Sequence, residues 1–475
     1  MNLQLLLNEI GAENTVGTAD IVSVTEKAEN VKKGSLFVAV RGKDFDGNEL
    51  IGKALSSGAA AVISDSVSEG DKVIRVGDAR RALSFLCSAF YGHPQNKMKM
   101  IGITGTNGKT TTAEYLRAIF AHCKRKCSVI GTLGSRCDGY ESETGYTTPL
   151  PEILFRELDK LSEVGTEYCI AEISSQALSQ KRAEPIRFEA GVFTNVGSDH
   201  LDYHKSVRKY AEAKAILAGL SDRTVINADD MYSELFEAAS KGKTYTYSLK
   251  GKYADYMAKN LRFTDDGLSY ILLKNDGVYR FQCDGIGELS AYNTLAALSC
   301  ADVLGISPDE AQNALRELPS VKGRLQRISS ENKTVYIDFA HTPEALYEVL
   351  RALKSRTRGR LICVFGCGGN RDKEKRPKMG AAASSLADRL IITSDNPRNE
   401  APELIMNDIS AGVPKGYSYE MIPDRKTAVE YALSEASSSD TVLIAGKGHE
   451  EYQLEGAERK FFSDEKLVKK ILGVF

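Results

Sequence analysis

The stretch "MIGITGTNGKTTTAEYL" (100–116) constrains the fold more than any other. An apolar, strand-like run meets a loop rich in glycine and threonine, and an amphipathic helical pattern follows at once. Strand, loop and helix in that order make a phosphate cradle. Amide N–H groups at the helix start point outward, and the helix dipole adds roughly half a positive charge there. Lys109 is placed to reach terminal phosphates, and the Thr110 hydroxyl to join a magnesium shell. Strict phosphate-loop spacing would put glycine where Ile103 stands, and Gly102 falls one place early, so the cradle is a variant. A plain glycine turn would leave Lys109, Thr110 and Thr111 without a reason.

At 475 residues the chain exceeds one ordinary core and suggests roughly three domains. Residues 1 to about 90 read as a small α/β unit, with buried-strand runs "GSLFVAV" and "AAAVIS" and a helical "DARRALSFLCSAFYG". "HPQNKMK" (93–99) reads as a linker whose His-Pro step should be extended. In the middle block, "MIGIT", "YCIAEI", "AGVFTNV" and "TVIN" alternate with helical stretches, which predicts a mostly parallel sheet covered on both faces. The polar clusters "TGTNGK", "EISSQ" and "TNVGSDH" follow the strands directly, where such sheets hold ligands. From "GRLQRI" (323–328) a second α/β domain carries "TVYIDFA", "RLICVFG", "RLIITS" and "TVLIAG".

With 42% apolar and 27% charged residues, the composition is that of a soluble globular protein, and a net charge of −2 argues for neither nucleic acid nor an anionic membrane surface. "MNLQLLLNEIGAEN" has no basic flank and is broken by Asn8 and Glu9, so it reads as neither signal peptide nor spanning helix. Nine scattered cysteines fit reduced thiols in a cytoplasmic protein. "CKRKC" (Cys123, Cys127) lacks the second pair a zinc site needs.

"GITGTNGKTTT" resembles the ATP loop of the Mur ligases, which add amino acids to the peptidoglycan precursor. The similarity extends over the central and C-terminal blocks. It implies a three-domain α/β architecture: a uridine-nucleotide-binding domain (1–93), a P-loop-type ATPase domain with a mostly parallel sheet (94–322) and a Rossmann-like, amino-acid-binding domain (323–475). It implies ATP contacts at Gly105, Thr106, Asn107, Gly108, Lys109, Thr110, Thr111, Asn293, Arg324 and Asp338, with His341 facing the nucleotide. A helix-cap role for Asn293 stays open beside this. Magnesium would be held by Thr110, Glu172, His200 and Lys214, the lysine as its carbamate (N6-carboxylysine), a hard oxygen donor set. Lys109, Glu172, His200 and Lys214 would then be the catalytic group. Four of the six histidines (200, 204, 341, 449) fall in the matching strings. The chemistry implied is transfer of phosphate from ATP to a substrate carboxylate, and attack of an amine on the acyl phosphate.

"DNPR" (Asp395, Asn396, Pro397, Arg398) resembles the signature of family members that add meso-diaminopimelate. Arg398 can grip that donor's remote carboxylate with two parallel charge-assisted hydrogen bonds, which L-lysine does not offer. Arg371 in "GCGGNRDKEKRPKMG" and Gly446 and Glu450 in "AGKGHEEYQ" match further donor contacts. Thr147, Thr148, Ser174, Gln180 and Arg182 match positions that meet the acceptor, UDP-N-acetylmuramoyl-L-alanyl-D-glutamate. The match weakens upstream of "GSLFVAV", where the family's usual Asp-Ser-Arg is replaced by Lys27, Ala28 and Glu29. Backbone contacts, or Lys43, Asp44 and Phe45, could serve in place of the missing uracil contact, and a different acceptor or amino acid stays open as the alternative. Folate-polyglutamate ligases share the loop without "DNPR" and "GKGHE"; a non-catalytic ATP-binding module would not need Lys109, Glu172, His200 and Lys214. A monomer working on small molecules, with no nucleic acid or membrane partner, is expected.

Overall fold

The computed structural model describes residues 1–474 apart from 14–15, 43–44, 68–69, 265–266 and 319, so Lys43 and Asp44 lie outside the described residues. Near the N-terminus four short strands, Ser23–Thr25, Ser35–Ala39, Ala61–Ser64 and Val73–Arg75, pair in parallel in that order. Ser35–Ala39 is buried at every position, as a strand covered on both faces must be. Asp78 starts the helix Ala79–Phe90 by accepting from the Arg81 amide. The linker expectation fails at one point. His93 is left-handed (φ 53°, ψ 55°), not extended, because its amide bonds back to the Ser88 carbonyl at the helix end, and Pro94–Lys97 forms a 3-10 turn.

The central sheet has eleven strands. Its parallel middle runs Tyr256–Thr264, Lys243–Ser248, Arg223–Asn227, Ala190–Phe193, Lys99–Thr104, Tyr168–Glu172, Cys127–Gly131. Antiparallel strands extend it at both edges, 267–283 at one and 134–142 at the other. Lys99–Thr104 precedes both of its neighbours in sequence, so the strand order reverses there and opens a crevice at its carboxyl end. The loop of interest begins in that crevice.

The last sheet runs Gln326–Ser330, Lys333–Asp338, Thr441–Ala445, Leu361–Phe365, Arg389–Ile392, Tyr419–Met421, parallel except for its first strand. A hairpin, Tyr452–Glu455 with Glu458–Phe461, lies over its strand ends and bonds to Arg398 through backbone. All nine cysteines are free thiols. Among the described residues no helix is long and apolar enough to cross a membrane.

Candidate active site

The strand Lys99–Thr104 delivers a loop that turns through Gly105 (φ 153°) and Gly108 (φ 87°) into the helix Lys109–His122. Side chains are barred at both glycines: a Cβ would strike the Thr194 hydroxyl at one and the Asn293 amide at the other. Asn293 therefore lies against the loop. It sits inside the helix Gly287–Val303 and accepts from the Thr112 hydroxyl (3.4 Å), which rules out the helix-cap role. The Asn107 amide bonds to Asn195 (3.0 Å), while Thr111 is half-buried at the helix start.

Lys109 and Lys214 converge on one carbonyl. Lys109 Nζ donates to the Gly105 and Thr106 carbonyls (2.8 and 3.0 Å), and Lys214 Nζ donates to Gly105 (2.8 Å) and lies 4.3 Å from the Tyr210 ring centre. Lys214 is 1% exposed. Burial, with the Lys109 charge adding to it, pushes its ammonium well below the ordinary lysine range.

Glu172, at the end of its strand, receives the Thr110 hydroxyl (2.8 Å) and the Thr132 amide and hydroxyl (2.9 and 3.1 Å). Its carboxylate rests against Gly131, where a Cβ would collide with Oε1. Thr110 and Glu172 thus supply adjacent hard oxygen donors, a set that fits magnesium completed by phosphate and water. His200 Nε2 lies 3.5 Å from Asp199, and burial, helped by the nearby Lys214 and Lys109 charges, lowers its hold on a proton. Among the described residues no three His, Cys, Asp or Glu side chains form a ready metal cluster. Asp199 also lies 3.9 Å from His341 Nε2 in the C-terminal sheet's domain. Burial raises the Asp199 carboxyl, but His200 and His341 outweigh it and hold it below the usual range.

Predicted acceptor residues adjoin Glu172. Thr147 shares a hydrogen bond with Thr132 (3.0 Å), and Thr148 donates to the Glu172 carbonyl (2.8 Å) and accepts from the Ser174 amide (2.9 Å). Arg182 donates to Gln180 (2.6 and 3.0 Å) and to the Thr148 carbonyl (2.7 Å). Among the described residues no carboxylate lies within ion-pair distance of it; Glu26 is the opposing charge that acts on it most, and its guanidinium lies 5.6 Å from the Tyr146 ring centre. Ala28 is buried in the N-terminal core, and Phe45 is exposed.

The C-terminal sheet closes on the loop through Arg324, whose Nη2 approaches the Thr110 hydroxyl (3.4 Å) while the guanidinium stacks on Phe339 (4.5 Å). Asp338 fixes the neighbouring backbone by accepting the Leu325 and Ala340 amides (2.6 and 2.8 Å). Phe339 in turn touches His449 (5.2 Å between ring centres), which leads to the residues predicted to hold the donor.

There, Arg398 adopts φ 52° and donates to the Gly369 carbonyl (2.8 Å). Burial, and then the like charge of Arg371, lower its hold on a proton. Neither arginine makes an ion pair among the described residues. Two guanidiniums side by side, with Asp395 and Glu450 near Arg398 but not in ion-pair contact, are a charge arrangement suited to an anion. Asn396 donates to Glu450 (2.9 Å), and Gly446 (φ 107°) leaves room for Asp395, whose Oδ2 would lie 2.8 Å from a Cβ there.

Several residues escaped the sequence reading. Thr132 follows a strand with no motif of its own. Lys447 was inside a quoted string but not singled out. Arg425 is wholly buried, paired with Asp464 (2.9 Å) and donating to the Ser394 and Ala445 carbonyls (3.2 and 3.0 Å), so it ties together the strands that precede "DNPR" and "GKGHE". Nothing local in "DRKTA" announces that.

Comparison with known proteins follows the same lines. Residues 103–301 match the family described as Mur ligase middle domain, and 323–448 the family described as Mur ligase, glutamate ligase domain. The chain is 41% identical to a protein of Aquifex aeolicus named UDP-N-acetylmuramoyl-L-alanyl-D-glutamate–2,6-diaminopimelate ligase, over 95% of this chain and 94% of that one. It is 39% identical to the protein of the same name from Bacillus velezensis, over 98% and 97%. A solved structure bearing that name superposes with a TM-score of 0.71 at 30% identity, over 100% of this chain and 99% of the other.

Proposed function

Since the chain belongs to the Mur ligase family, we propose that it is the ATP-dependent, ADP-forming ligase that joins meso-diaminopimelate to UDP-N-acetylmuramoyl-L-alanyl-D-glutamate in peptidoglycan precursor synthesis. The observation that carries the choice of donor is the pair of unpaired guanidiniums, Arg371 and Arg398, beside the Glu450 carboxylate. A diamino acid with a carboxylate and an ammonium at its far end meets both signs of charge there; L-lysine brings only the ammonium.

The work divides among residues 1–93 (uridine nucleotide), 94–322 (ATP) and 323–475 (amino acid). The loop amides and Lys109 hold the phosphates of ATP. Thr110 and Glu172 would hold magnesium, together with His200 and a carbamate on Lys214, and the ion when bound would supply positive charge against the repulsion between the γ-phosphate and the incoming carboxylate. The buried, weakly basic amine of Lys214 is the form that reacts with carbon dioxide: the N–C bond forms and the amine loses a proton. Thr147, Thr148, Ser174, Gln180 and Arg182 orient the acceptor. Its carboxylate attacks the γ-phosphate, ADP departs, and the donor amine then attacks the acyl carbon and expels phosphate. Arg324, reaching from the C-terminal sheet to Thr110, steadies charge as it spreads during transfer. The enzyme works as a cytoplasmic monomer on these small molecules, which gel filtration and cell fractionation test.

Purified protein given ATP, magnesium, the muramoyl dipeptide nucleotide and a panel of amines should release phosphate with meso-diaminopimelate. Release with L-lysine in its place would defeat the reading.

A further inference from the structure

We propose that Lys447 is the positioning residue of the donor pocket, holding one oxygen of Glu450 so that the other faces the remote ammonium of the incoming diamino acid. The inference rests on the donor reading above.

Lys447 is 0% exposed, a rare place for a lysine unless its charge is matched. Its Nζ donates to Glu450 Oε2 (2.9 Å) and to Asn396 Oδ1 (3.0 Å), and lies 5.5 Å from the Tyr452 ring centre. Asn396 Nδ2 donates to the same Oε2 (2.9 Å), while Asn396 Oδ1 also accepts the Leu454 amide (3.0 Å). The three side chains close a triangle that joins "DNPR" to "GKGHE". Within it Oε2 has two donors, and Oε1 has only a long contact with the Tyr452 hydroxyl (3.4 Å). The carboxylate is therefore anchored by one edge. Its second oxygen keeps the capacity for a charge-assisted bond.

The turn aims the lysine. Gly446 and Gly448 flank it at φ 107° and 53°, and a Cβ at Gly448 would lie 2.8 Å from both the Gly323 carbonyl and Phe339 Cβ. Backbone this crowded admits few other paths. A lysine kept only for filling would carry its desolvation cost for nothing, since an apolar side chain packs the same space more cheaply. What the ammonium adds is a fixed direction for Glu450. A fixed carboxylate senses the configuration of the donor's far carbon, because only one arrangement brings carboxylate to guanidinium and ammonium to Oε1 together.

Steady-state kinetics on the full chain with ATP, the muramoyl dipeptide nucleotide, and either meso- or L,L-diaminopimelate test this. In Lys447→Met the KM for meso-diaminopimelate should rise at least tenfold and that for ATP less than twofold. Its preference for the meso over the L,L isomer in kcat/KM should fall at least fivefold. In a Glu450→Gln background the same change should add less than twofold. Equal losses for all substrates with the isomer preference intact would overturn the proposal and leave Lys447 a structural residue. Should the variant not fold, the wild-type structure with the donor bound decides: Oε2 on Lys447 and Asn396 with Oε1 on the donor ammonium is expected, and Lys447 touching the donor itself overturns it. A wild type that ignores diaminopimelate fails the donor reading and this inference together. One that uses it, while Lys447→Met keeps its isomer preference, fails this inference alone.

Discussion

At the strand ends of the C-terminal sheet the cations that hold the loops are buried, whereas Arg41, beside the N-terminal sheet, stands in solvent. Arg376, Arg425 and Lys447 each have side chains of zero exposure, and each ties a carboxylate to a loop carrying a donor residue. Arg41, the matching tie in the N-terminal unit, is 63% exposed and reaches Asp46 (2.9 Å) and Ser66 (3.2 Å). A buried pair, once made, is costly to break, because the partner left behind has no water to turn to. An exposed pair contributes little and is cheap to lose. The difference teaches where the fold is rigid: the loops carrying Arg371, Arg398 and Glu450 are cross-braced. The N-terminal unit is braced lightly, and it is there that Lys27, Ala28 and Glu29 depart from the family string.

The comparison breaks most readily at Arg425. Arg425→Met should cost about 3–5 kcal/mol in urea unfolding, with Asp464 stranded in the core; a loss under about 1 kcal/mol would mean that the two ends are braced alike. Arg398→Lys should cost about 2 kcal/mol in kcat/KM for diaminopimelate, roughly thirtyfold, since the second of two parallel bonds is lost. The KM for ATP should hardly move, and an equal rise in both would point to misfolding. A smaller effect is expected at Glu400, whose carboxyl is held at about 2, against an ordinary 4.5, by the Arg376 guanidinium and the Asn370 amide. A depressed carboxyl contributes stability above pH 4.5 and loses it as pH falls toward 2. Glu400→Gln should therefore flatten the fall in urea midpoint between pH 5 and pH 3 while lowering the midpoint at neutral pH; an unchanged acid slope would remove Glu400 from the bracing. Arg41→Ala should shift stability by less than about 1 kcal/mol. A larger loss would erase the contrast from the other side.

How far the sequence could be read depended on the range of the interaction. Strand cores such as Leu361–Phe365 and Thr441–Ala445 were visible as apolar runs because both faces are covered, which leaves no alternation to mislead. The antiparallel edges were not. In Gly277–Cys283 the exposed positions dilute the apolar pattern, and its pairing is decided by its neighbour across the sheet. His93 misled for a similar reason, since the proline after it was read without the Ser88 carbonyl that turns it.

By itself the sequence determined the phosphate loop, the alternation of strands and helices, and the strings that carry Lys109, Glu172, Lys214 and Arg398. Each of these is a local demand of backbone or charge, written in consecutive residues. Only the tertiary structure decided that Lys214 shares the Gly105 carbonyl with Lys109, that Arg324 crosses to Thr110, and that Lys447 and Arg425 brace the donor loops. Those contacts join segments up to 214 positions apart. Their physical basis is desolvation: a buried cation is tolerable only where folding brings it acceptors, and for Lys214 and Arg425 those acceptors lie far away in the sequence.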